Sequence, residues 1–160
     1  PDGTKLWWDV HPNHRYPTLE FRLCDVYTRV DEAVCIAAIF QALIAKLWKL
    51  RRDNLTFRHY PMALIEENKW RAVRYGLDGS PLDLGKQAAK PAKHLIREFL
   101  TWFLSDVLDD LGSRKEVEYA FDILEKGSSA DRQLATFHKT GDLKGVVDQL
   151  IRESEEGVLG

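Results

Sequence analysis

The chain has 160 residues, 44% of them apolar and 30% charged, enough for one ordinary globular domain that buries about 70% of its extended-chain surface. A net charge of −2 argues against non-specific nucleic-acid binding, which needs a basic surface. Two cysteines, Cys24 and Cys35, exclude a disulfide framework and fit a reducing cytoplasm; no uninterrupted apolar run reaches ~18 residues and no basic-then-apolar leader is present, so neither a membrane span nor a signal peptide is expected.

In chain order, Leu6-Trp7-Trp8-Asp9-Val10 is aromatic and β-prone and reads as a first short strand. His11 to Pro17 reads as a loop, because its two prolines remove donors and turn their predecessors away from helix. Thr18 to Asp25 then alternates. Leu19, Phe21 and Leu23 fall on one face of an extended strand, and Thr18, Glu20, Arg22 and Cys24 on the other. A lone strand leaves its backbone groups unpaired, so either the first strand pairs with it or further strands lie on another polypeptide. The chain is therefore expected to be the C-terminal part of something larger, with strands over 1–27 and a helical body over 28–160.

Thr28-Arg29-Val30-Asp31 reads as a capping box opening a helix that runs to about Arg52. Its first half is apolar on every side, which predicts a buried central helix; its last turns are basic, complementing the helix dipole. A second helix follows Pro61 and stops at Gly76. The stretch from Gly76 to Lys90, with its Asp78-Gly79-Ser80-Pro81 turn, reads as a long loop and a candidate mobile segment. Four more helices are expected. One runs from Pro91 to Leu111, and one is opened by a Ser113…Glu116 capping box and stopped by Gly127. One begins after Ser128-Ser129 and ends before Gly141, and the last runs from Asp142 to Glu156. The fold class is α+β: one or two antiparallel strands followed by a mainly helical body.

Glu20 and Arg22 are the main candidates for chemistry. A carboxylate two residues from an arginine on an open strand face is either a solvated ion pair or one wall of a phosphate-and-metal site. In the second case Glu20 offers oxygen to a hard divalent cation and Arg22 a fork of donors to phosphate. Asn68, Arg71 and Arg74 sit at helical spacing beside a glycine, either pairing with Glu66 and Glu67 or forming an anion site. His11 and His14 lie three apart, but no cysteine or further histidine continues a zinc pattern, and His59, His94 and His138 are isolated. Cys24 is placed as a nucleophile or, more simply, as a small packing residue. The chain has no glycine-rich phosphate loop, so any ATP site must be built from strand side chains and metals.

Three segments together resemble one family. Trp8-Asp9-Val10, Pro12 and Arg15 to Arg22 resemble the "WD…P…TLE.R" strand of the glutamate–cysteine ligase superfamily, in its bacterial carboxylate–amine ligase branch. Glu67 to Gly79 resembles the "EN.WRA.RYGLDG" segment of that family, and Gly127 to Gln133 its "G..A.RQ" turn. The chain departs from the pattern at His11, where the family often has arginine, and at Pro17, where it often has glycine.

The resemblance implies a partial glutamine synthetase-like fold and an ATP-dependent ligase that forms an amide through an acyl phosphate on a glutamate side chain. It implies ATP with Mg²⁺ or Mn²⁺, with Glu20 as metal ligand and Arg22 as catalytic contact of the γ-phosphate. Arg71 and Arg74 would serve the nucleotide and Asn68 the substrate. Its implied partners are glutamate and an amine such as cysteine, with no nucleic acid or membrane, in a cytoplasmic homo-oligomer such as a dimer. The family's other metal-binding carboxylates come from strands outside this segment, so these 160 residues alone are expected to be inactive. The rival reading is a non-catalytic helical scaffold that keeps the fold.

Overall fold

The computed structural model describes residues 5, 7–56 and 58–156. Two short strands open it, β1 (Val10–Pro12) and β2 (Leu19–Phe21), paired antiparallel with Val10 opposite Phe21, His11 opposite Glu20 and Pro12 opposite Leu19. The first strand thus lies later than Leu6–Val10, taking in His11 and Pro12; Leu6 itself is outside the described residues. A proline is tolerated here because, among the described residues, β1 has a partner on one side only. The second strand is three residues long rather than eight. Of its three predicted inward apolar residues only Phe21 is well packed, stacked on Phe40 with ring centroids 4.0 Å apart; Leu19 and Leu23 are nearly half exposed. Cys24 is also exposed, so the packing role expected of it is not what the fold gives it.

Helix α1 (Val30–Arg52) packs its Glu32, Cys35, Ala38 and Ala42 stripe inward. Three of the four are small, which lets α5 (Arg114–Lys126) approach closely, and α4 (Ser105–Leu111), with Leu104 just before it, closes the same core through Val107 and Leu108. Burial in this core pushes the Cys35 thiol up to about 11, so it is a packing group and no nucleophile. The first half of α1 is not buried on every side as expected, since Val30 and Val34 are exposed; further along, Ile44, Leu47 and Trp48 are exposed as well. By length and composition alone α1 is also long and apolar enough to cross a membrane, although its apolar stretch is interrupted by polar residues.

Helix α2 (Met62–Tyr75) ends at Gly76, whose φ of +54° is the left-handed turn that glycine permits. The segment expected to be a mobile loop is ordered by local bonds. A 3₁₀ turn (Gly76–Asp78) leads to a hairpin of β3 (Leu82–Asp83) and β4 (Ala88–Ala89), and Asp83 Oδ1 accepts the Gly85 and Lys86 amides across its bend. The predicted Pro91–Leu111 helix is continuous in path but changes pitch. Helix α3 (Ala92–Glu98) passes through a π-helical turn (Phe99–Phe103) into α4, and Leu104 N–H donates to Phe99 O, five residues back.

Helices α6 (Ser129–Thr140) and α7 (Leu143–Glu155) form the final pair. The capping box that opens α6 uses Ser128 and Asp131; at α5 the expected Ser113 box does not form, and Ser113 Oγ is buried without a hydrogen-bond partner. At α1 the predicted Thr28 cap is also absent. Thr28 Oγ1 donates instead to Glu153 Oε2 at 2.9 Å, a charged acceptor that makes the stronger bond.

Glu153 belongs to a buried network that joins three helices. Arg132 Nη1 lies 2.7 Å from Glu32 Oε1, and Arg132 Nε and Nη2 donate to the two oxygens of Glu153 at 3.0 and 3.1 Å. Gln149 Nε2 adds a bond to Glu153 Oε1 at 2.8 Å. Burial works to raise the Glu153 pKa, but the bonds from Arg132, Gln149 and Thr28 outweigh it and hold the group down to about 2. A carboxyl depressed in the folded state adds stability above its unfolded pKa and loses it as pH falls through the folded value. Urea unfolding between pH 7 and pH 2 is therefore expected to lose on the order of 3 kcal/mol from this group, mostly below about pH 4.5. Arg132→Met leaves the buried Glu32 carboxylate without its cation and Glu153 with only the longer contact to Arg29, and is expected to destabilise by about 3–5 kcal/mol at pH 7, with the deficit shrinking on acidification.

Candidate functional site

The β1–β2 hairpin creates a polar cavity that contains the predicted Glu20–Arg22 pair. It has a volume of about 310 Å³ and is lined by His11, Asn13, Tyr16, Glu20 and Arg22 among others. Asn13 closes the hairpin. Its amide donates to Thr18 O at 2.8 Å, while its Oδ1 accepts the Arg15 and Tyr16 amides at 2.8 and 2.9 Å in an Asx turn. The same side chain's Nδ2 donates to Glu20 Oε1.

Arg22 Nη2 donates to Glu20 Oε2 at 2.9 Å, and the Arg22 guanidinium also lies over the Trp7 ring at 5.0 Å. Arg22 first and Asn13 second hold the Glu20 carboxyl below the usual carboxylate range, so it is ionised at neutral pH. Each of its oxygens carries one donor and retains one free lone pair. Cross-strand pairing places His11 opposite Glu20, and the imidazole Nε2 comes within 3.0 Å of Glu20 Oε2. This contact falls outside hydrogen-bond geometry: Nε2 is buried and unpartnered.

An ionised carboxylate, a guanidinium and an orphaned imidazole nitrogen can hold a divalent cation and the oxygens of a phosphate. Among the described residues no group of three or more His, Cys, Asp or Glu side chains converges on one point. The residues fit a cation whose remaining positions are filled by phosphate oxygens and water, as Mg²⁺ sites commonly are.

Asn68, Arg71 and Arg74 do not line this cavity. Asn68 Nδ2 donates to Leu82 O at 2.8 Å and its Oδ1 accepts the Leu82 amide at 2.6 Å, so one side-chain amide satisfies both backbone groups of a strand residue. Arg71 Nε bonds Glu67 Oε1 at 2.8 Å and its Nη1 bonds Ser80 O at 2.8 Å. Arg74 lies over the Tyr75 ring at 5.4 Å. Gly79 packs against this corner so closely that a Cβ would stand 3.2 Å from both Gly76 O and Tyr75 Cβ. The tie between α2 and the strands is made by Lys69, whose Nζ bonds the Asp9 carboxylate at 2.7 and 2.8 Å.

Sequence reasoning gave Asn13 only a loop position, grouped Lys69 with the basic cluster of its own helix rather than with Asp9, and read His11 as half of a zinc pair with His14 and as a departure from the family pattern. The signal for Asn13 was present, since Asx turns favour Asn after a strand. The pairing of His11 with Glu20 needed the hairpin register. A larger cavity of about 660 Å³ lies away from the hairpin, walled by Leu43, Leu47, Leu95, Phe99, Trp102 and Phe103. It is mainly apolar, with Asp83, Lys86 and Glu98 also in its lining, and carries none of the predicted site residues.

Fold and cavity together define an α+β protein in which a short strand pair presents an ionised carboxylate and a guanidinium beside a helical body. The chain belongs to glutamate–cysteine ligase family 2, whose model matches residues 1–149. It is 56% identical over 99% of its length to a protein of Solibacter usitatus named "Putative glutamate--cysteine ligase 2". Proteins of the same name from Herpetosiphon aurantiacus and Sorangium cellulosum are 52% and 49% identical, each over 98% of this chain. The chain spans about two fifths of the length of these relatives, between 40% and 42%.

Because Asn68 carries both bonds to Leu82, Asn68→Ala is expected to weaken the β3–β4 hairpin by about 1–3 kcal/mol. Native-state hydrogen exchange should report it as a roughly tenfold or greater loss of protection at the Leu82 amide, with amides of α5 unchanged.

Proposed function

We propose that this chain supplies one wall of the active site of an ATP-dependent carboxylate–amine ligase, the rest coming from polypeptide beyond these 160 residues. The observation that carries the reading is the Glu20–Arg22 pair, held in the cavity by Asn13 and ionised at neutral pH, in a chain of the ligase family. The glutamate side chain of the substrate attacks the γ-phosphorus of ATP, its bond to the β–γ bridging oxygen breaks, and ADP leaves. The amine nitrogen then attacks the acyl carbon, phosphate departs, and the nitrogen gives up a proton to form the amide.

Phosphoryl transfer asks for placement and charge neutralisation rather than a protein nucleophile, which suits a site with no activated cysteine or serine. A bound Mg²⁺ or Mn²⁺ would neutralise phosphate charge and fix the reacting oxygens in line. Glu20 would hold that cation, Asn13 aims the carboxylate, and Arg22 would turn its fork from Glu20 to the oxygens of the transferred phosphate. The Trp7 ring keeps the guanidinium in reach while it does so. Asn68 and Arg71 act by fixing the corner between α2 and the β3–β4 hairpin, with Arg74 beside them on Tyr75; in this role they support the nucleotide and glutamate sites without touching the reacting atoms. Glutamate is the acid, an amine such as cysteine the acceptor, and the assembly is a cytoplasmic homo-oligomer independent of nucleic acid and membrane.

The test is ADP release with glutamate and a panel of amines, in a polypeptide of the relatives' full length. Glu20→Gln and Arg22→Ala are each expected to lower turnover by about 10²–10³-fold; unchanged turnover in both sinks the assignment. The 160-residue chain by itself is expected to bind Mg-ATP weakly, and submicromolar affinity by calorimetry would show that the site is already complete in it.

A further inference from the structure

The His11 imidazole is the unexplained group in this cavity. It is 5% exposed, and its Nδ1 lies 3.1 Å from the Pro12 carbonyl oxygen. A carbonyl only accepts, so Nδ1 donates to it and Nε2 is the nitrogen left facing Glu20. Nε2 is buried, has no hydrogen-bond partner and stands 3.0 Å from a carboxylate oxygen, in a contact outside hydrogen-bond geometry. A buried polar nitrogen left without a partner is costly.

A shared cation would supply the missing partner. Donor atoms about 2.1 Å from one cation and at right angles to each other stand about 3.0 Å apart, which is the observed separation. The Pro12 carbonyl would then serve as the outer partner that metal-bound histidines commonly have on their second nitrogen, fixing both tautomer and ring direction. Asn13 does the equivalent for Glu20 by engaging Oε1.

From this geometry we infer that His11 Nε2 and Glu20 Oε2 are adjacent ligands of one divalent cation, and that the imidazole tilts the site toward first-row transition ions over Mg²⁺. The inference rests on Glu20 being a cation ligand, as proposed above, and adds a second ligand from the facing strand. Imidazole nitrogen favours Mn²⁺ and still more Zn²⁺, whereas a site of oxygens alone suits Mg²⁺. Arg22 adds positive charge on the same carboxylate oxygen, so an anionic phosphate on the cation strengthens the assembly.

Long-range ¹H–¹⁵N spectra of the 160-residue chain read the imidazole directly, with Zn²⁺ as the diamagnetic probe and calorimetry supplying Zn²⁺, Mn²⁺ and Mg²⁺ affinities. The His11 Nε2 resonance is expected to shift on adding Zn²⁺. His11→Gln should reduce the preference for Zn²⁺ and Mn²⁺ over Mg²⁺ by roughly tenfold or more, while His14→Gln leaves it intact. Glu20→Gln should remove binding of all three ions at this site. A His11 Nε2 signal that Zn²⁺ does not move, or a preference that survives His11→Gln, overturns the role of His11 and leaves that of Glu20 standing. If Glu20→Gln also binds the three ions as the parent does, the cation site itself is overturned.

Discussion

One guanidinium decides where the last quarter of the chain goes. Arg132 reaches Glu32 at the head of α1 and Glu153 on α7 at once, and both carboxylates are almost fully buried. Helices α6 and α7 pack chiefly on each other, so this ion triad, together with Thr28 and Arg29 on Glu153, is what moors the pair to the central helix. A buried triad of this kind is weak evidence for net stability, since desolvation offsets much of the attraction. Its effect is on placement: a wrong docking would leave buried charge unpaired, which excludes it.

The same helix α1 serves the site at its other face. Phe40 stacks on Phe21, so the second strand is pinned to α1 one residue from Glu20 and one from Arg22. Lys69 ties Asp9, just before the first strand, to α2. The hairpin is too short to stand alone, as an isolated two-stranded pair is marginal in water. It is therefore held by one aromatic stack, one ion pair and the Asn13 turn. Meanwhile α1 keeps Ile44, Leu47 and Trp48 uncovered, and Trp102 is exposed along the π-helical turn.

Much of the helical body could be read from the sequence because its boundaries are set by local chemistry. Gly76, Gly112, Gly127 and Gly141 all have positive φ and each ends a helix where the pattern placed the end. The start of α6 after Ser128 is local too, since the capping box there joins partners three residues apart. The boxes proposed at Thr28 and Ser113 failed through tertiary competition: Thr28 found Glu153, 125 residues away, and Ser113 was buried. The Gly76–Lys90 stretch looked loose because its anchors, Asn68 and Arg71, lie on the preceding helix and bond backbone that no pattern of side chains reveals.

For the site, strand alternation alone put Glu20 and Arg22 on one face, and the motifs around them named the family. Which groups stand beside them was decided by the fold. His11 faces Glu20 only because β1 begins at Val10 and not at Leu6, and a register shift by one residue would have turned the imidazole to the opposite face. Periodicity and capping act over three or four residues and are written into the order of the chain. Register, ion-pair choice and the orphaned nitrogen of His11 depend on groups brought together from distant positions, and those only the packed structure determines.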